Sequence, residues 1–145
     1  MFIRNAKQLG INLNDVDYVF ISHGHSDHEG GLRYFLEHNR QAKVIVSPDA
    51  MSGEFFSKRG NLHSITTEWP EINEERLLKI EQTCEIAEGI YVIAHIPQNH
   101  PMPKGNQNLF VQDANGKYVY DELRPCTADE LGVGLRRIPE GLDDA

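Results

Sequence analysis

The chain has 145 residues, 39% of them hydrophobic and 25% charged, with a formal net charge of −8. That length points to one domain able to bury a core, and the acidic balance disfavours nonspecific binding to nucleic-acid backbones. No apolar run is long enough to span a membrane, and the first residues lack the apolar stretch of a secretory signal, so neither membrane insertion nor export is expected. The two cysteines, Cys84 and Cys126, lie far apart in sequence and read as reduced thiols of a cytoplasmic protein.

Phe2, Ala6 and Leu9 fall at helical spacing and Gly10 is a stop signal, which predicts a short helix over 2–9. Residues 11–17 form a connector, with Asn14 and Asp15 as turn formers. Residues 18–22 read as a strand, the following histidine-rich stretch as a loop, and residues 30–38 as a helix. Leu32, Phe35 and Leu36 share one face of that helix. Lys43 to Val46 is a buried strand. Ser47 then serves as N-cap and Pro48 opens the next helix. This βαβα order favours parallel pairing of the two strands.

Residues 52–67 show no clean periodicity. Phe55, Phe56, Lys58, Arg59 and His63 suit either a pocket wall or an ordinary surface loop, and the loop is the preferred reading. Glu71 to Glu75 is acidic and solvated. Three strands follow at 77–80, 84–86 and 90–94, the last two joined through Glu88-Gly89. Pro97, Pro101 and Pro103 stiffen the next loop. Leu109 to Gln112 and Lys117 to Tyr120 pair around Asn115-Gly116, a strong hairpin signal. Residues 121–145 contain no aromatic residue and no lysine. The expected organisation is therefore one domain over 1–120 and a divergent tail over 121–145.

The chemistry concentrates in His23-Gly24-His25-Ser26-Asp27-His28. Alternate side chains of an extended stretch point the same way, so His23 and His25 reach toward one point. The adjacent Asp27 and His28 turn toward a second. Imidazole nitrogens with a carboxylate oxygen suit zinc, with iron or manganese as alternatives. Two such ions would share a water and lower its pKa. A lone histidine is usually a solvated surface residue. Three histidines and an aspartate between a strand and a helix indicate a metal site.

His23-x-His25-x-Asp27-His28 resembles the signature of the metallo-β-lactamase superfamily. The fit is closest to its dihydropterin-type phosphate synthase-like branch. Asn5-Ala6, Val16-Asp17, Ser22 through Leu32, Lys104-Gly105-Asn106 and Asn108-Leu109-Phe110-Val111 stand at matching places. The resemblance implies an α/β fold, a partial αββα sandwich amounting to about half of the parent. It assigns His23 and His25 to a first divalent metal and Asp27 and His28 to a second. Asp27 is also the candidate catalytic residue, holding the metal or orienting water. The implied function is a metal-dependent hydrolase, or a related group transferase, using metal-activated water on a carbonyl or phosphoryl centre. Its substrate would be a small molecule, with phosphorylated pterin or ribosyl compounds as candidates and Lys104 or Arg59 to meet a phosphate.

The branch's Gly-Cys-x-His segment, which supplies a third histidine, has no match here, because no histidine follows His100. His95, at a predicted strand end, is a further ligand candidate, although a pocket-wall or loop histidine is the preferred reading. The expectation is a copy of the parent fold begun late and ended early, its tail read in a shifted frame. The alternative is a divergent terminus folding as a helix from Ala128 to Arg137. An incomplete ligand set also motivates a second function, a noncatalytic metal-binding remnant or truncated gene product. Sheet edges left bare by missing strands would invite self-association.

Overall fold

The computed structural model describes residues 2–94, Pro101, residues 103–121 and the backbone of 136–137. In chain order the elements are α1 (Phe2–Gln8), β1 (Tyr18–Phe20), α2 (Ser26–Glu29), α3 (Leu32–His38), β2 (Lys43–Val46), α4 (Pro48–Ser52), β3 (Phe55–Ser57) and β4 (His63–Ser64). There follow β5 (Leu77–Lys79), β6 (Cys84–Ala87), β7 (Ile90–Val92), β8 (Leu109–Gln112), β9 (Tyr118–Tyr120) and β10 (Arg136–Arg137). The class is mixed α/β, as expected, and is consistent with a partial metallo-β-lactamase-like fold.

The first sheet runs β1-β2-β5 and is parallel throughout, so the pairing expected of the βαβα order is present. Val44, Ile45 and Val46 are all 0% exposed. A strand buried on both faces reads as a continuous apolar run, which is why Val44-Ile45-Val46 is so legible. Leu32, Phe35 and Leu36 of α3 pack with Ile21, Val44, Val46 and Ala50 in one cluster. Each fully buried aliphatic or aromatic side chain there contributes about 1.5–3 kcal/mol.

Asn39, just past α3, is 0% exposed and uses its whole side-chain amide. It donates to the carbonyls of Leu13 and Val16, both at 2.8 Å. Its oxygen accepts from Gln41 N and Ala42 N at 2.9 and 2.7 Å. Two donors and two acceptances satisfy a buried amide. They tie the approach to β1 to the approach to β2. Ser47 caps α4 as expected, its hydroxyl accepting from Ala50 N at 3.2 Å.

A second sheet runs β4-β3-β8-β9, antiparallel throughout. The predicted hairpin at Asn115-Gly116 joins β8 to β9. Gly116 has φ +75°, and the Asp113 carboxylate accepts from the backbone N–H groups of Asn115 and Lys117, both at 2.9 Å. A third sheet runs β10-β7-β6, with Gly89 at φ +71° in the expected β6–β7 turn.

Three expectations need correction. Residues 52–67 are not simply a loop, because β3 and β4 lie within them. Strands of two and three residues offer too little sequence for a period, and β3 is organised by pairing with the distant β8. The histidine-rich stretch is not all loop either. Ser26–Glu29 makes a helical turn, with the His25 carbonyl accepting from His28 N and Glu29 N at 2.9 and 3.0 Å. Finally, Arg136–Arg137 is extended and pairs antiparallel with β7, contrary to a helix reaching Arg137. The remainder of that suggested helix lies outside the described residues, as do His95, His100 and Cys126. Among the described residues no helix is long and apolar enough to cross a membrane.

Candidate metal centre

The site begins where β1 ends. Ile21 N still bonds the Ile45 carbonyl at 2.9 Å, so the chain leaves the parallel sheet only after Ile21. From there His23 and His25 turn inward, at 7% and 4% exposure, while Asp27 and His28 on α2 face solvent. The His23 and His25 rings meet edge to face with centroids 4.4 Å apart. The His23 and His28 rings are tilted at 4.0 Å. The four candidate ligands therefore divide into a buried pair and an exposed pair, with His23 touching both. The Asp27 carboxylate is 3.9 Å from His28 Nε2.

Gly24 between the two histidines is required by packing. A Cβ there would collide with the Ala50 carbonyl oxygen and lie 2.5 Å from Phe55 Cε2. The histidine segment thus passes hard against α4 and the Phe55 ring. That ring also meets the His25 imidazole edge to face, with centroids 5.1 Å apart. Phe55 is itself fixed by Thr66, whose hydroxyl accepts from Phe55 N at 2.6 Å and donates to Phe55 O at 3.1 Å. Ser26 N bonds the Ile65 carbonyl at 2.8 Å, so the segment after β4 runs alongside the ligand turn.

Two polar contacts fix the rings. The Ser22 hydroxyl lies 2.9 Å from His23 Nδ1 and 3.3 Å from His28 Nδ1, bridging the buried and exposed histidines. His25 Nε2 lies 2.7 Å from Asp121 Oδ2, and both side chains are buried. Asp121 stands just past β9, far from the ligand motif in sequence, and its N–H bonds the Leu109 carbonyl at 3.1 Å. Sequence reasoning missed it. A lone aspartate after a hairpin carries no signal until the hairpin is docked.

Glu29, at 1% exposure, was also missed. Its Oε1 has no hydrogen-bond partner among the described residues. Burial raises its pKa, while the Thr67 side chain and the Arg33 charge pull the other way.

The rings open onto a cavity of about 540 Å³ whose lining includes His23, His25, Asp27 and His28 together with Ser57, Arg59 and His63. Arg59 and His63 are therefore pocket residues, contrary to the preferred loop reading. Phe55 packs behind His25 instead, and Phe56 meets Tyr118 with ring centroids 4.9 Å apart. Lys104 is not among the lining residues.

The donor set fits a divalent cation in its chemistry: neutral imidazole nitrogens and a carboxylate are ligands of zinc, iron and manganese. Among the described residues no group of three or more His, Cys, Asp or Glu side chains is arranged to hold an ion. The rings are gathered but do not all aim at one centre.

A family model described as the metallo-beta-lactamase superfamily matches residues 1–103. Over 113 residues the chain is 33% identical to an uncharacterized protein of Methanocaldococcus jannaschii, a match covering 74% of this chain and 41% of that protein. Over 140 residues it is 26% identical to a 7,8-dihydropterin-6-methyl-4-(beta-D-ribofuranosyl)-aminobenzene-5'-phosphate synthase of the same organism, covering 90% of this chain and 46% of the synthase. The chain spans less than half the length of either curated relative.

Proposed function

The chain belongs to the metallo-β-lactamase superfamily, and from that premise we propose that it is a metal-dependent hydrolase, or a related group transferase, acting on a small anionic substrate. The observation that carries this reading is the gathering of three imidazoles, with neighbouring ring centroids 4.0 and 4.4 Å apart, at the wall of a cavity of about 540 Å³. His23, His25, Asp27 and His28 would hold the metal, most simply zinc, with iron or manganese suiting the same donors. A divalent cation there supplies Lewis acidity and makes water a competent nucleophile at neutral pH.

The rest is done by the chain itself. Phe55 and Asp121 restrain His25 from two sides. Ser22 spans His23 and His28. Arg59 and His63 line the same cavity as the candidate ligands, and the Arg59 guanidinium suits a phosphate or carboxylate of the substrate. A phosphorylated substrate is favoured because the synthase among the relatives is named for a 5'-phosphate compound. A cytoplasmic setting belongs to the same proposal, supported by Cys84, an unbridged thiol.

The test is metal content by mass spectrometry after reconstitution with zinc, manganese or iron, followed by turnover of phosphoester, carboxylic ester and thioester substrates. His25→Ala is expected to lower bound metal and reduce turnover to background. Arg59→Ala is expected to raise KM for phosphorylated substrates about 10-fold or more, the scale of one charge-assisted hydrogen bond. A folded protein that takes up none of these metals, or turnover that survives His25→Ala, overturns the reading.

A further inference from the structure

We infer that His63 is a further catalytic residue, the acid that protonates the leaving oxygen of the substrate. The inference rests on the hydrolase reading above and assigns a role outside the His-x-His-x-Asp-His motif. Cleaving an ester takes a nucleophile at one end of the bond and, where an alcohol departs, a proton at the other. In the hydrolase reading His23, His25, Asp27 and His28 are taken up at the nucleophile's end. Of the other polar side chains lining the cavity, the Arg59 guanidinium does not deprotonate. The hydroxyls of Ser26 and Ser57 and the amide of Asn106 hold their protons too tightly to give one up at neutral pH. His63 is left, and imidazole is the side chain whose proton comes and goes near neutrality.

The backbone fixes how far His63 stands from the motif. His63 opens β4 and pairs with Ser57 of β3. Two residues on, Ile65 is held twice: its N–H bonds the Phe55 carbonyl at 2.9 Å, and its carbonyl accepts from Ser26 N at 2.8 Å. Thr66 then forms an antiparallel bridge with His25. Two residues of extended chain span about 7 Å, so His63 stands within a small substrate's length of the ligand turn. Alternate residues of a strand share a side, and both His63 and Ile65 line the cavity.

The working nitrogen of the ring is set as well. His63 Nδ1 lies 2.9 Å from the Asn61 carbonyl oxygen. A carbonyl only accepts, so Nδ1–H donates, and Nε2 is the nitrogen left to take up and release a proton. His63 is exposed, so solvent can reprotonate it between turnovers. In the step, a water oxygen bonds the phosphorus or carbonyl carbon, and that water gives its proton to solvent. The bond to the leaving oxygen breaks with its electron pair staying on that oxygen, and the proton on His63 Nε2 moves to it. The neutral imidazole regains a proton from solvent, and the sum is ester plus water giving acid plus alcohol.

The experiment uses the full-length, metal-reconstituted chain and two esters of one acid, 4-nitrophenyl phosphate and ethyl phosphate. Nitrophenolate departs as a stable anion, whereas ethoxide needs the proton. His63→Gln is expected to lower kcat for ethyl phosphate about 10²–10⁴-fold more than for 4-nitrophenyl phosphate. Added imidazole is expected to restore part of the ethyl phosphate turnover lost in His63→Ala. A merely structural role would lower both esters together and would not respond to imidazole. A second readout needs no turnover: long-range 1H–15N spectra of the metal-free protein, taken where imidazoles are neutral, should show His63 protonated on Nδ1, its signals assigned by their loss in His63→Gln. Equal losses on the two esters overturn the inference and leave the hydrolase reading standing. So does a neutral His63 protonated on Nε2, or a wild type that cleaves only the nitrophenyl ester. A protein that cleaves no ester at all defeats the hydrolase reading, and this inference falls with it.

Discussion

The parallel sheet and the four-stranded antiparallel sheet divide the work of the site between them. In β2, Val44, Ile45 and Val46 are 0% exposed, whereas Tyr118, Val119 and Tyr120 of β9 are 39–55% exposed. The histidine motif grows out of the buried sheet, two residues past a backbone bond that still belongs to it. The exposed sheet supplies Phe55 behind His25, borders the Arg59 and His63 wall, and leads into Asp121. The candidate ligands thus follow the buried sheet, while Phe55, Asp121, Arg59 and His63 around them come from the sheet with the more exposed strands. Loops anchored to a rigid scaffold are the usual place for chemistry. Here the anchor and the pocket wall are separate sheets that meet at the site.

The sharpest way to break this comparison is to truncate one side chain in each sheet. Ile45→Ala removes a fully buried β2 side chain and is expected to destabilise the fold by about 2–5 kcal/mol. Tyr118→Ala removes a half-exposed ring that touches Phe56 and is expected to cost about 0.2–1 kcal/mol. Urea denaturation of both variants measures the difference. Equal costs would mean that the antiparallel sheet carries as much of the fold as the parallel one.

A smaller effect is expected where the two sides touch. Gly24→Ala places a Cβ against the Ala50 carbonyl and the Phe55 ring, backbone on one side and a confined aromatic on the other. Overpacking of this kind costs about 1–3 kcal/mol. Relief requires Phe55 to move, and Phe55 supports His25, so metal affinity should fall along with the melting temperature. Wild-type affinity in a destabilised Gly24→Ala protein would show that the ring behind His25 does not matter to the ligand.

This seam also marks how far the sequence could be read. The apolar run at 43–46, the Ser47-Pro48 helix start and the Asn115-Gly116 hairpin are local signals, and each is found where its residues predict it. The histidine motif stood out because its residues are contiguous, and its three rings gather at one cavity. Phe55, Asp121 and the buried Asn39 were not, since each acts on residues distant in sequence and none differs locally from an ordinary loop or turn residue. Gly24 gives no local signal of its packing. Its role is close approach to α4, which appears only once Ala50 and Phe55 are packed against it. Arg59 and His63 were assigned to a loop because two- and three-residue strands leave no period to detect.

Glu29 gives a further effect, the one most specific to the seam. It lies on the ligand turn, is buried, and has a carboxylate oxygen without a hydrogen-bond partner among the described residues. Burial raises its pKa above the ordinary glutamate value, against the opposing pull of Thr67 and Arg33. A raised carboxyl pKa means that the folded state holds its proton more tightly than the unfolded chain. Its contribution to stability is then full below the unfolded pKa. It is lost as pH rises from there through the folded pKa, and is constant above that. Glu29→Gln cannot ionise, so it should track wild type in acid and grow more stable than wild type across that window. The sign of that gap, Glu29→Gln above wild type once the pH has passed the window, is the expected outcome. Denaturation curves at a series of pH values give the answer. Parallel curves for the two proteins would mean that the seam accommodates the charge after all, with the helical turn free to carry Glu29 toward water.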